Sequence, residues 1–294
     1  METPTTATTY EMLESMKHQP SDLDQLLINA ARNGDPAEVL RLLSLGANPE
    51  KFPGQIGALG AAASSYGFGP DSVECLKILI PLCDPNAADP EDGWTALMFA
   101  ANGINPAKVE LLAPHSDCSR RNSDGETALM IAAGVASPQM VAALLAQPGA
   151  KQAARNCRDS DGRDALMIAS QAVVPPGRRR SVLGQSAEEC IPLLLPVADL
   201  FAVDSSGFTA LGAFLRMGVL SSEAVAKALC ERIDPRQPCE PSGLSALNYA
   251  KERVAFCPEE VLTCLERRCD MLNEIEALER STSTAPSTPK AMRI

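Results

Sequence analysis

The stretch 92-DGWTALMFAANG-103 returns as 122-NSDGETALMIAAG-134 in the same register. Gly93 and Gly125 are 32 positions apart, as are Thr95 and Thr127, Leu97 and Leu129, and the alanine pairs at 100–101 and 132–133. A fixed step means one structural unit used twice. A period in the low thirties points to stacked repeats, in which no unit buries its own apolar face without a neighbour.

Working outward, the same plan of helix, turn and helix recurs. From Ser21, Leu23, Leu26, Leu27 and Ala30 share one helical face, and Val39, Leu42 and Leu43 follow on a second helix. Asp35-Pro36, Asn105-Pro106 and Ser137-Pro138 read as helix starts: the side chain accepts from orphan amides, and proline needs no partner at the first helical position. Gly46 in LGANP reads as a left-handed helix stop. Pro81–Asp84, Pro114–Asp117 and Pro196–Asp199 share a further ending, in which proline stops the helix and aspartate re-caps the turn. The spacing predicts an all-α solenoid of about seven helix-turn-helix units, at 21–50, 51–89, 90–121, 122–158, 159–203, 204–239 and 240–280. A loose leader at 1–20 precedes it and a disordered polar tail at 281–294 follows. The later steps, Leu129 to Leu166, Leu211 and Leu247, are 37, 45 and 36 residues, and the surplus falls in loops, where insertions are tolerated.

Composition narrows the function. A net charge of -11 weighs against nucleic-acid or anionic-membrane binding, both of which need a positive surface, and favours a protein partner. The N-terminus, METPTTATTY, lacks the basic start and apolar core of a signal peptide, so the ten cysteines are expected to be reduced thiols of a cytoplasmic protein. No apolar run approaches the roughly 18 residues a membrane span needs. No cofactor or metal is expected either. Only two histidines are present; Cys257, Cys264 and Cys269 have poor zinc spacing; and there is neither a GxxxxGK[ST] nor a GxGxxG motif. Cys75, Cys190 and Cys264 read as small core hydrophobes, and the pairs Glu188-Glu189 and Glu259-Glu260 as charges answering helix dipoles.

The first-helix strings TALMFAA, TALMIAA, DALMIAS, TALGAFL and SALNYAK, each behind a turn glycine (Gly93, Gly125, Gly162, Gly207, Gly243), resemble ankyrin repeats, with their turn of Asp and Gly followed by T-P-L-H-x-A-A. The resemblance spans roughly Ser21 to Arg268. Alanine replaces the family's proline at 96, 128, 165, 210 and 246, and methionine replaces its histidine at Met98, Met130 and Met167, which should shift the stack toward packing and away from polar bonds. The TALMxAA wording is similar to that of ankyrin-only and ankyrin-plus-kinase proteins of diplomonad protists, but no kinase signature occurs here.

The resemblance implies a concave face made of turn tips and first helices. On it, the side chain between the turn glycine and the helix-starting residue is free to serve binding: Trp94, Glu126, Arg163, Phe208 and Leu244. Trp94, the only tryptophan, either anchors a partner or folds back over unit two, and Phe208 carries the same ambiguity. The implied function is a monomeric, non-catalytic scaffold or adaptor; the alternative is a regulatory subunit or inhibitor of a separate enzyme such as a protein kinase. Two candidate phosphorylation sites stand outside this scheme: Ser181, behind Arg178-Arg179-Arg180, and Thr288, before Pro289 in the tail. Leu262, Leu265, Cys269, Leu272, Ile275 and Leu278 form a stripe on the last helix that caps the stack or pairs with a second chain.

Overall fold

The computed structural model describes residues 20–50, 57–64, 70–172, 187–216, 223–253 and 257–283. Its helices come in successive pairs: α1 (Pro20–Asn33) with α2 (Pro36–Ser44), α3 (Ala58–Ser64) with α4 (Pro70–Leu79), and α5 (Ala96–Ala101) with α6 (Pro106–Leu112). Next come α7 (Ala128–Gly134) with α8 (Pro138–Leu145), then a lone α9 (Ala150–Asn156), then α10 (Ala165–Gln171) with α11 (Ala187–Leu194). The last pairs are α12 (Ala210–Arg216) with α13 (Glu223–Arg232) and α14 (Ala246–Glu252) with α15 (Glu259–Ser283). Among the described residues there is no strand, only isolated bridges between Ala88 and Thr95 and between Pro238 and Ser245 in two of the turns.

The pairs stack in two layers. Each first helix lies on the next first helix, from α1 through α3, α5, α7, α10 and α12 to α14. The second helices do the same, from α2 through α4, α6, α8, α11 and α13 to α15. One apolar core runs between the layers from Leu27 to Leu265. This is a helical solenoid.

Local chemistry sets where each helix begins. Met98 N–H donates to Thr95 Oγ1 at 3.4 Å, Met130 N–H to Thr127 Oγ1 at 3.3 Å, Gly212 N–H to Thr209 Oγ1 at 3.3 Å and Asn248 N–H to Ser245 Oγ at 3.3 Å. The second helices use Asp35, Asn105 and Ser137 in the same way, each followed by proline. A cap contributes about 1 kcal/mol. The buried methionines contribute more: Met98, Met130 and Met167 are all sealed from solvent, and each such burial is worth roughly 1.5–3 kcal/mol. Packing therefore outweighs capping in this stack, and Ala100, Ala101, Ala132 and Ala133, all buried, let neighbouring helices approach closely. The proline endings also take shape: Asp84, Asp117 and Asp199 each accept from the N–H two residues on, at 2.9, 2.9 and 3.2 Å.

Asp164 is the exception among first-helix caps. One oxygen accepts from Met167 N–H at 2.8 Å, while the other is buried without a hydrogen bond, 4.0 Å from the Arg158 guanidinium. Burial pushes its pKa up, so the ionised cap costs stability at neutral pH, and the cost fades as acid protonates it. Asp164→Thr, the residue used at three equivalent positions, is expected to raise stability by about 1 kcal/mol at pH 7. Urea titrations at pH 7 and pH 4 check this, with the gain smaller at pH 4.

Two expectations need correction. Helix α9 falls within 122–158, where only one helix pair was expected; its core contribution is just Ala150 and Ala154, too small a pattern to register as amphipathic. Helix α15 runs to Ser283, so the first residues of the expected tail are helical. Val261, Leu265 and Cys269 bury the first half of α15 against α13 and α14, which is a cap on the stack, while Met271, Ile275 and Leu278 on its second half are exposed. Arg236 tethers that second half through Glu276 at 2.7 Å and Asn273 at 2.9 Å.

Candidate partner-binding face

The turns between pairs form a ladder. Ser123 N–H donates to Asp92 O at 2.8 Å, Ser160 N–H to Asp124 O at 2.7 Å and Ser205 N–H to Asp161 O at 2.7 Å. Each tip thus fixes the height of the next. The turn glycines carry left-handed backbone; at Gly162, with φ +76°, a Cβ would also lie 3.0 Å from Ser205 N and push that rung apart.

The side chain behind each turn glycine is half-buried at all five positions. Its backbone N–H is held by an earlier side chain: Trp94 by Asp92, Glu126 by Asn122, Arg163 by Asp159, Phe208 by Asp204 and Leu244 by Glu240. The side chains themselves do structural work, contrary to the expectation that folding leaves them idle. Trp94 lies against Phe99 with ring centroids 5.1 Å apart and lines a cavity floored by Leu59, so it folds toward unit two. Glu126 accepts from Asn122 Nδ2 at 2.9 Å. Arg163 is held by Asp159 at 2.8 Å and Asp161 at 3.0 Å and reaches Gln171. Phe208 meets Tyr249 edge-on at 6.0 Å, with the Arg216 guanidinium over its ring at 5.2 Å. Leu244 packs on the core.

These contacts join tips to first helices and divide the face. One end is aromatic and ringed by carboxylates, at Trp94 and Phe99 with Glu50, Asp84 and Asp89. The tips between are the charged Glu126 and Arg163, and beyond them the face is aromatic with guanidiniums, at Phe208 and Tyr249 with Arg216 and Arg253.

The remaining candidates are structural. All ten cysteines are free thiols. Burial pushes Cys75 up to about 11 and Cys190 and Cys239 up to about 12, so these thiols stay protonated and unreactive. His115 sits exposed in a short 3-10 turn. Ser181 and Thr288 lie outside the described residues. Among the described residues no cluster of His, Cys, Asp or Glu could hold a metal, and no helix is long and apolar enough to cross a membrane. Two features escape the sequence reading. Phe201 is 75% exposed beside exposed Val203 on the loop before Gly207, in a chain with no periodic signal there. Lys108 is 2% exposed, inside the core.

A two-layer stack of helix pairs tied tip to tip defines a helical repeat protein. A family model described as Ankyrin repeats (3 copies) matches residues 27–122, 59–156 and 102–177. Together these cover 27–177, more than half of the 294 residues, and the chain belongs to the ankyrin-repeat family. Ankyrin repeats are generally non-catalytic protein–protein interaction modules. No curated protein matches the chain in sequence.

Proposed function

We propose that the chain is a scaffold or adaptor that binds a protein partner along the face made of turn tips and first helices, with the helix pairs after residue 177 continuing the same array. The observation that carries this reading is that the face holds two fixed aromatic groups, one beside carboxylates at Trp94 and Phe99 and one beside guanidiniums at Phe208 and Tyr249. Tip side chains that pack sideways still present one edge to solvent, and half-buried aromatics held in place are the kind of anchor that dominates interface energy. The reading takes the protein as a cytoplasmic monomer without a cofactor.

The test is affinity capture from a cell extract with the wild-type chain and with a Trp94→Ala, Phe208→Ala double variant, each checked for an intact thermal transition. A partner retained by the wild type and reduced at least tenfold by the variant is expected, since hot-spot truncations cost about 2 kcal/mol or more. Equal retention by a folded variant moves the interface off this face, and turnover by the purified chain overturns the non-catalytic reading. A captured enzyme whose rate changes on binding would make the chain a regulatory subunit instead.

A further inference from the structure

The cavity beside Trp94, of about 390 Å³, is walled by Trp94, Pro90 and Leu59 and ringed by Glu50, Asp84 and Asp89. Each carboxylate uses one oxygen locally: Glu50 Oε1 accepts from Asp84 N–H at 2.8 Å, Asp84 Oδ1 from Asn86 N–H at 2.9 Å and Asp89 Oδ1 from Glu91 N–H at 2.8 Å. Among the described residues no lysine or arginine pairs with any of the three, and none lines the cavity. Elsewhere on the same edge carboxylates do find cations: Asp159 and Asp161 hold Arg163, and Asp234 holds Arg236. Around Trp94, three carboxylates without an ion pair among the described residues stand beside an aromatic wall.

We infer that this cavity receives an arginine side chain of the protein partner. An indole face attracts a cation, and a planar guanidinium both stacks on it and forks onto carboxylate oxygens, which a lysine ammonium cannot do. Burial of Trp94 against Phe99 fixes the indole beforehand, so little ordering is lost on binding. The inference rests on the scaffold reading and names the chemistry that one end of its face selects.

Trp94 is the only tryptophan, so its emission reports on this cavity alone. The full-length chain is titrated with acetylated, amidated glycine-rich pentapeptides carrying one central arginine, lysine or citrulline. The arginine peptide is expected to shift the emission saturably, and the lysine and citrulline peptides to bind at least tenfold more weakly. Glu50→Gln with Asp89→Asn keeps the local acceptors and removes two charges, and should weaken the arginine peptide by about tenfold. An emission unmoved by arginine, or moved equally by citrulline or lysine, overturns the inference, as does full affinity in the double variant. Partner capture that survives the same double variant would leave the scaffold reading standing while removing this one.

Discussion

Gly212→Ala is expected to detach the last helix pair from the array and to cost about 2–4 kcal/mol. Gly212 occupies the third position of α12, where Met98, Met130 and Met167 stand in earlier pairs. There the backbone of the next turn comes in: a Cβ at 212 would lie 2.9 Å from Cys239 C and inside the contact shell of its carbonyl oxygen. That same oxygen accepts from Thr209 N–H at 3.1 Å. Neither partner is the far end of a flexible side chain, so the backbone itself must move. Overpacking of this kind costs roughly 1–3 kcal/mol, and the lost hydrogen bond adds about 1 kcal/mol. Because a repeat array is held by nearest-neighbour interfaces, the loss falls on one junction. Amide exchange should become fast in α14 and α15 while α5, α7 and α10 stay protected; uniform protection in the variant would show that the junction relaxes.

Lys108→Ala is expected to destabilise the N-terminal half by about 3 kcal/mol. Lys108 projects from α6 into the core, where its Nζ donates to Ala62 O at 3.0 Å and Ala63 O at 3.3 Å. Those carbonyls belong to the last turn of α3, which carries the negative end of the helix dipole. The lysine thus closes one helix from another pair. Removing it takes a charged donor away from both carbonyls, at about 1–3 kcal/mol, and opens a cavity along the stem.

Burial lowers the Lys108 pKa to about 8. The folded value lies below the unfolded one, near 10.5, so between them the unfolded chain binds more protons and stability rises with pH. Cys75, raised to about 11 by burial, works the other way above pH 9. Subtraction isolates the lysine: the stability of wild type relative to Lys108→Met should improve from pH 8 to pH 10 in guanidinium titrations. A flat difference would mean that the amine is not titrating in the core.

The repeat plan was legible because it is written in local chemistry. A glycine at each turn, a side-chain acceptor at each helix start and apolar residues at helical spacing are decided within ten residues of each other, and Thr95, Thr127 and Ser245 cap where the spacing puts them. Helix α9 was not legible, since two alanines are its whole share of the core. The tip side chains were legible as positions but not as contacts. Trp94 meets Phe99 within its own unit, whereas Phe208 meets Tyr249 of the next unit at a distance set by the pitch of the stack, which no single repeat encodes.

By itself the sequence determined the period, the pairing of helices, the capping and the apolar seam, because each follows from neighbours a few positions away. Only the tertiary structure decided that Gly212 makes room for the next turn, that Lys108 serves the end of a helix 45 residues earlier, and that three carboxylates gather at the Trp94 cavity with no cation among the described residues lining it. Those arrangements depend on how one helix pair is rotated and shifted against the next, and that relation exists only once the interface between them has formed.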